Sequence, residues 1–222
     1  MNTKIILIRH AQSIKNLKDI HGGKGESLTA LGKKQASDLA DRLFKIGISY
    51  ENAIIAAPQN IQTKETEEII SEKLNLPRYD ISDFRPLYLG IVHGLSNEEV
   101  ADKYPQIFDL LSRRRNKELE ICDLLIPQME NIFEFYNRGK KVLDKINKGK
   151  YNIFIATNSL YILLLNILFG NTCIKGGGYK HFDIPNCGLT MFNEISDGKF
   201  ILDIENTDVE DALSYRKLKE YL

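Results

Sequence analysis

The sequence predicts an α/β fold: a three-layer sandwich with a mostly parallel central sheet, helices on both faces and a helical insertion. Two observations carry that expectation. Three short apolar, largely β-branched runs, Ile5 to Ile8, Ala53 to Ala57 and Ile153 to Ala156, are each followed by a segment of helical character. Continuous rather than alternating apolar runs mark strands covered on both faces, as in a parallel sheet. A stretch of helical spacing from Ile107 to Asn147 then separates the second run from the third, with Ile132, Phe135, Tyr136, Gly139, Val142, Leu143 and Ile146 in phase. It reads as an insertion at about 96–147 within a single domain spanning residues 1–222.

The punctuation supports each element in turn. After the first run and a glycine-rich loop (Gly22, Gly23, Gly25), Thr29 can cap a helix with Ala36, Leu39, Ala40 and Leu43 on one face and Gly47 as its stop. After the second run and Pro58 comes a helix through Glu65 to Leu74, ended by Pro77. Ser96 and Glu99 have capping-box spacing for a helix reaching about Lys103, before Pro105. The third run enters an apolar helix after Ser159 that Gly170 stops. Leu189 to Ile195 and Lys199 to Ile204 flank Asp197-Gly198, a two-residue hairpin signal, so antiparallel pairing is expected near the end.

Composition excludes several functions. Thirty basic residues balance thirty acidic ones among 222, so no global field attracts nucleic acid or a membrane, and any anion preference must be local. The apolar stretch Leu160 to Phe169 is too short to span a bilayer, and Lys4 to Ile8 is too short for a signal-peptide core. Cys122, Cys173 and Cys187 form neither a CxxC pair nor a metal-ligand spacing, which suits reduced thiols used as core filler in a cytoplasmic protein. No two histidines stand at a ligand spacing and His181 is isolated, so neither metal nor cofactor is expected. The glycine runs at 22–25 and 176–178 lack P-loop spacing.

Chemistry concentrates at the carboxyl end of the first run, where open α/β sheets place ligands. Arg9 and His10 stand there. A guanidinium matches phosphate oxygens bidentately, and a neutral imidazole is a nucleophile. The string Arg9-His10-Ala11-Gln12-Ser13-Ile14-Lys15-Asn16 resembles the signature of the histidine phosphatase superfamily, RHG-[EQ]-[ST]-x-x-N, with Ala11 in the glycine position. Leu28 to Ala36 resembles that family's LT-x-x-G-x-x-QA helix, Gly90 to Gly94 its G-x-x-x-G loop and, more weakly, Pro127 to Asn131 with Arg138 beyond it its PGGES segment. The resemblance covers nearly the whole chain. It implies a phosphohistidine mechanism in which His10 attacks phosphorus, Arg9, Ser13 and Asn16 hold oxygens, and water later releases phosphate.

Three departures bear on the activity that resemblance implies. Gln62 stands where the family supplies a second arginine, Pro86 where it supplies the acidic proton donor, and Asn158 where it supplies a second histidine. Gln62 and Asn158 are still expected at the substrate. Losing a charge-assisted hydrogen bond costs about 1.5–3 kcal/mol, and losing general acid catalysis about 10²- to 10⁴-fold in rate. His93, inside the G-x-x-x-G loop, is the candidate substitute acid, and His21 a candidate for touching substrate. Arg113-Arg114-Arg115 could reach over the crevice, although such a run commonly makes a solvated helix face.

The expected function is a metal-independent phosphomonoester hydrolase acting on a small phosphorylated molecule. The alternative is a catalytically impaired relative that binds a phosphorylated ligand or a protein partner. A mutase is disfavoured, because returning a phosphoryl group to a sugar acid needs the proton shuttling that Pro86 removes.

Overall fold

The computed structural model describes residues 2–81, 83–170, 179, 182–196 and 198–203. Cys173, Gly176 to Gly178, His181, Asp197 and the far end of the last expected strand at Ile204 lie outside the described residues. Five strands, β1 (Lys4–Arg9), β2 (Ala53–Ala56), β3 (Tyr151–Ala156), β4 (Leu189–Ser196) and β5 (Lys199–Leu202), form one sheet of order β2-β3-β1-β4-β5. The pairs β2–β3 and β3–β1 are parallel, whereas β4 lies antiparallel to β1 and β5 to β4. Ser196 pairs with Lys199, which leaves the two-residue connection that Asp197-Gly198 signals.

Seven α-helices are described: α1 (Ile14–Leu17), α2 (Ala30–Lys45), α3 (Ile61–Leu74), α4 (Asn97–Lys103), α5 (Pro105–Arg115), α6 (Ile132–Leu143) and α7 (Asn158–Leu168). The strand pleat sorts side chains between two layers. Ile6 and Ile8 of β1 and Ile153 and Ile155 of β3 pack with Leu39 and Leu43 of α2 and Ile70 of α3. Ile5, Leu7, Phe154 and Ala156 face the other way, against Phe135 and Val142 of α6 and Leu160 to Leu165 of α7. Alternate residues of one uninterrupted apolar run thus build two cores, as a sheet covered on both faces requires.

Local signals place the helices. Thr29 accepts a bond from the Gly32 N–H at 2.9 Å, and Ser96 and Glu99 close their capping box with bonds of 3.2 and 2.8 Å. The 96–147 stretch is less continuous than its periodicity predicts. Pro105 opens α5 at its first turn, and residues 116–131 are irregular apart from a short turn at Ile121–Asp123. Lys117 and Gln128 there hold positive φ, and Met129 bridges to Leu89, pairings that compete with helix. The apolar side chains of α4 and α5 gather around Val92, Val100, Leu124 and Ile126 in a cluster of their own, whereas α6 packs on α7 in the main core.

The register sets Arg9 beside Ala156, so the end of β1 and the start of α7 meet at one edge of the sheet. No helix among the described residues is long and apolar enough to cross a membrane.

Candidate active site

A cavity of about 300 Å³ opens at that edge, lined by Arg9, His10, Lys15, Asn16, Ile20, His21, Gly22, Gly23, Asn60, Gln62, Pro86, Leu87, Leu89, Thr157, Asn158 and Ser159. Arg9, His10, Gln62 and Asn158 therefore share one space despite their separation in sequence. None of the described lining residues is a carboxylate. The first turns of α3 and α7 both contribute to the wall, and helix N-termini present backbone N–H groups and a partial positive charge.

His10 is held from several sides. Its backbone N–H donates to the Ala156 carbonyl at 3.0 Å, and its own carbonyl accepts from Asn186 Nδ2 at 2.8 Å. Nδ1 lies 2.8 Å from the Ala11 carbonyl oxygen, an acceptor only, so Nδ1 carries the proton and Nε2 keeps its lone pair. Burial pushes the imidazole pKa down to about 3; the Ala11 bond opposes that shift, and the charges of Arg9 and Lys15 add to it. The ring is neutral at pH 7, the form a nucleophile requires. Ala11 does not occupy positive φ, which explains how alanine replaces the glycine of the signature. Its N–H donates to Thr66 Oγ1 at 3.1 Å, tying the loop to α3.

Arg9 donates to the Ile184 carbonyl, while its Nε is buried without a partner and burial lowers its pKa. Among the described residues no carboxylate pairs with it. A cation so placed favours an anionic ligand. Asn16 Oδ1 accepts from the Ser13 N–H and Ser13 Oγ, both at 3.0 Å, and from Asn186 Nδ2 at 3.4 Å. With the oxygen so engaged, the amide has its Nδ2 donors for a ligand. Gln62 is 1% exposed, and its Oε1 has no partner. Gly25 packs so close that a Cβ there would stand 1.9 Å from that oxygen.

Two expected roles are revised. Ser13, expected to touch substrate, is fully buried and does not line the cavity; its bonds orient Asn16 instead. His93, expected as the substitute acid, does not line it either. His93 borders an adjoining cleft of about 930 Å³ that shares Gly23, Asn60 and Pro86 with the cavity. Its Nε2 accepts from the Gly23 N–H at 2.9 Å, its ring meets that of Tyr88 at a tilt of 44° with centroids 4.6 Å apart, and burial lowers its pKa. A neutral ring with an engaged lone pair braces the glycine loop and holds no ready acid proton. His21 does line the cavity, its Nε2 2.8 Å from Asn97 Oδ1, and burial lowers its pKa as well.

Sequence reasoning missed Lys15, which lines this cavity and a second one of about 300 Å³ beside it with Arg9, Asp19, Arg115 and Asn186. Only an unexpected inward turn of α1 distinguishes Lys15 from the exposed Lys18. Arg115 alone of the arginine run reaches that second cavity. Among the described residues one group of possible metal ligands occurs, Glu120, Cys122 and Asp123, and none of them lines the cavity at Arg9 and His10. Cys122 and Cys187 are free thiols, and burial pushes Cys187 up to about 12.

The sequence model of the histidine phosphatase superfamily (branch 1) matches residues 5–207. The chain belongs to that superfamily. Within it, the remaining motif positions acquire physical reasons. Gln12 of the phosphatase signature donates its N–H to Gln35 at 3.0 Å and accepts from Thr29 at 2.8 Å, so the LT-x-x-G-x-x-QA helix clamps the loop that follows His10. Glycine is needed at position 32 because a Cβ would sit 1.9 Å from the Gln12 carbonyl. Glu130 of the weaker segment pairs with buried Arg138 at 2.8 Å, and Arg138 donates to the carbonyls of Asp83, Arg85 and Pro86.

The phosphatase chain is 29% identical over 219 residues to a broad-specificity phosphatase of Saccharomyces cerevisiae, covering 90% of each chain. It is 28% identical over 151 residues to PhoE of Bacillus subtilis, named an uncharacterized phosphatase, covering 68% of this chain and 67% of that one. A solved structure from Bacillus stearothermophilus, YhfR, superposes with a TM-score of 0.74 at 18% identity over 93% of this chain and 98% of that one. At that identity the likeness shows the shared fold.

Proposed function

We propose that the protein is a metal-independent phosphomonoester hydrolase, acting on small phosphorylated molecules through a phosphohistidine at His10. The observation that carries this reading is the neutral His10 with Nδ1–H fixed on the Ala11 carbonyl, beside an Arg9 with no carboxylate partner among the described residues, in a cavity whose described lining holds no carboxylate. Relatives named as phosphatases support a hydrolase.

In the proposed first step the Nε2 lone pair forms the N–P bond as the P–O bond to the leaving group breaks, the departing oxygen keeping that electron pair. Arg9, Asn16 Nδ2 and the N-terminal turn of α7 hold the non-bridging oxygens, where charge spreads in the transition state. The Ala11 carbonyl steadies the positive charge that arises on the ring. In the second step water adds to phosphorus, the P–N bond breaks back to Nε2, and the water's proton passes to solvent. The adjoining 930 Å³ cleft gives an organic leaving group room.

With no carboxylate among the described residues of the cavity wall, leaving groups that depart as stable anions react fastest. The test is steady-state hydrolysis of p-nitrophenyl phosphate. Wild type should turn over slowly and His10→Ala not at all, and equal rates in the two would end the reading. The missing acid also favours a second reading, a silent phosphoryl-binding relative, which gains if the protein binds phosphate without turnover.

A further inference from the structure

We propose that Lys15 is a substrate-binding residue whose ammonium holds the phosphoryl group together with Arg9. The inference rests on reading the cavity as a phosphoryl site, and deepens it. A phosphomonoester carries close to two negative charges at neutral pH. Among the described residues only Arg9 and Lys15 bring an amine or guanidinium to the cavity wall, since Gln62, Asn60 and Asn158 are neutral amides and His10 and His21 are lowered towards neutrality. Two cations match the dianion, and one does not.

The placement of Lys15 is specified locally. Ser13 and Asn16 close a capping box around the start of α1, which fixes the turn containing Lys15 next to the amide that faces the cavity. Lys15 is half-buried while its neighbours Leu17 and Lys18 are exposed. It has no ion-pair partner among the described residues, although Asp19 borders the second cavity. Surface lysines keep the ammonium in water. This one turns into the wall shared by two cavities, where an unpaired charge is costly until an anion arrives.

Burial lowers its pKa to about 8. The titratable and charged groups around it are Arg9, His10, His21, His93, Asp19 and Arg115. The three rings are neutral near pH 8; Arg9 and Arg115 repel the Lys15 ammonium and Asp19 attracts it, so burial sets the direction of the shift until an anion binds. Bound phosphate favours the protonated amine, so affinity should fall as pH rises above about 8. Lys15 also helps hold His10 neutral.

The experiment is calorimetric titration of the purified protein with inorganic phosphate, from pH 7 to 10, for wild type, Lys15→Met and Lys15→Arg. Lys15→Met should bind roughly 10- to 100-fold more weakly at pH 7, the loss of one charge-assisted hydrogen bond. Lys15→Arg should bind within a few-fold of wild type at pH 7. Its guanidinium does not titrate in this range, so wild type alone should lose up to about tenfold in affinity per pH unit above pH 8, and any titration of phosphate itself cancels in that comparison. If Lys15→Met fails to fold, the difference between the wild-type and Lys15→Arg profiles decides. Identical profiles, unchanged affinity in Lys15→Met, or no phosphate binding by wild type would each overturn the proposal. Binding is read without turnover. A Lys15 effect on a protein that forms no phosphoenzyme keeps this inference and removes the hydrolase reading, and the converse result removes only the inference.

Discussion

Replacing Glu130 by alanine should destabilise the protein more than any other single change to the ion pairs of the described residues. Arg138 and Glu130 have side chains 7% and 8% exposed and meet at 2.8 Å. Arg138 also donates to the carbonyls of Asp83, Arg85 and Pro86, the turn that leads into the cavity wall at Pro86 and Leu87. Removing the carboxylate leaves a buried guanidinium with carbonyl acceptors and no counter-charge, which costs about 3–5 kcal/mol. For a chain of this size each kcal/mol lowers Tm by about 2–4 °C, so the melting point should fall by roughly 6–20 °C. The exposed Arg85 contact to Glu130 adds little.

Replacing both partners, Glu130→Met with Arg138→Met, removes the orphaned charge, so the double variant should cost less than the sum of the two singles by about 0.5–3 kcal/mol. Urea unfolding followed by far-UV circular dichroism suits a chain with no tryptophan. Catalytic efficiency should fall with the Glu130 change, because the segment it secures carries Pro86. A cost below about 1 kcal/mol, or strictly additive single changes, would refute the view that this pair holds the loop.

Other consequences follow from the same geometry. Gly90 has a φ of +60°, and a Cβ there would lie 2.0 Å from the Pro127 carbonyl, whereas Gly94 at +93° faces open space. Gly90→Ala should therefore cost several times more in urea unfolding than Gly94→Ala, for which about 1–2 kcal/mol of left-handed strain is expected. His10 titrates near 3 in the folded protein, below its unfolded value near 6.5, so the unfolded chain binds the extra proton between those values. Stability should accordingly fall as pH drops from about 6.5 towards 3, and His10→Asn should flatten part of that slope in denaturation series across the range. Sugar phosphates should be hydrolysed far more slowly than p-nitrophenyl phosphate by the wild type, and Pro86→Glu should narrow the gap, as parallel steady-state assays would show.

The strands and the Arg9-His10 loop were legible because their signals are local. An uninterrupted apolar run ending in Arg9-His10 can serve both faces of a sheet and end at a crevice, and Thr29, Ser96 and Glu99 cap where their spacing says. The irregular 116–131 segment was hidden because its apolar residues keep helical intervals while Leu119, Leu124 and Ile126 pack with α4 and α5 and Ile121 packs into the main core. The cavity was harder to read. Gln62 and Asn158 could be assigned through their motif neighbours, but Ser13 and His93 carry side chains that suit either substrate contact or scaffolding, and only hydrogen-bond geometry separates the two. Lys15 sat within the quoted signature as an unassigned position. Its inward turn depends on which face of a four-residue helix meets the cavity, too short a helix for periodicity to reveal.

The central claim, a covalent phosphoryl group on His10, is tested by rapid alkaline quench of wild type mixed with radiolabelled aryl phosphate, followed by peptide mapping at alkaline pH. The account predicts a base-stable, acid-labile label on the peptide containing Arg9 and His10, formed within the first turnover and absent from His10→Ala. Turnover by wild type with no label trapped on that peptide, or the same label on His10→Ala, would contradict it.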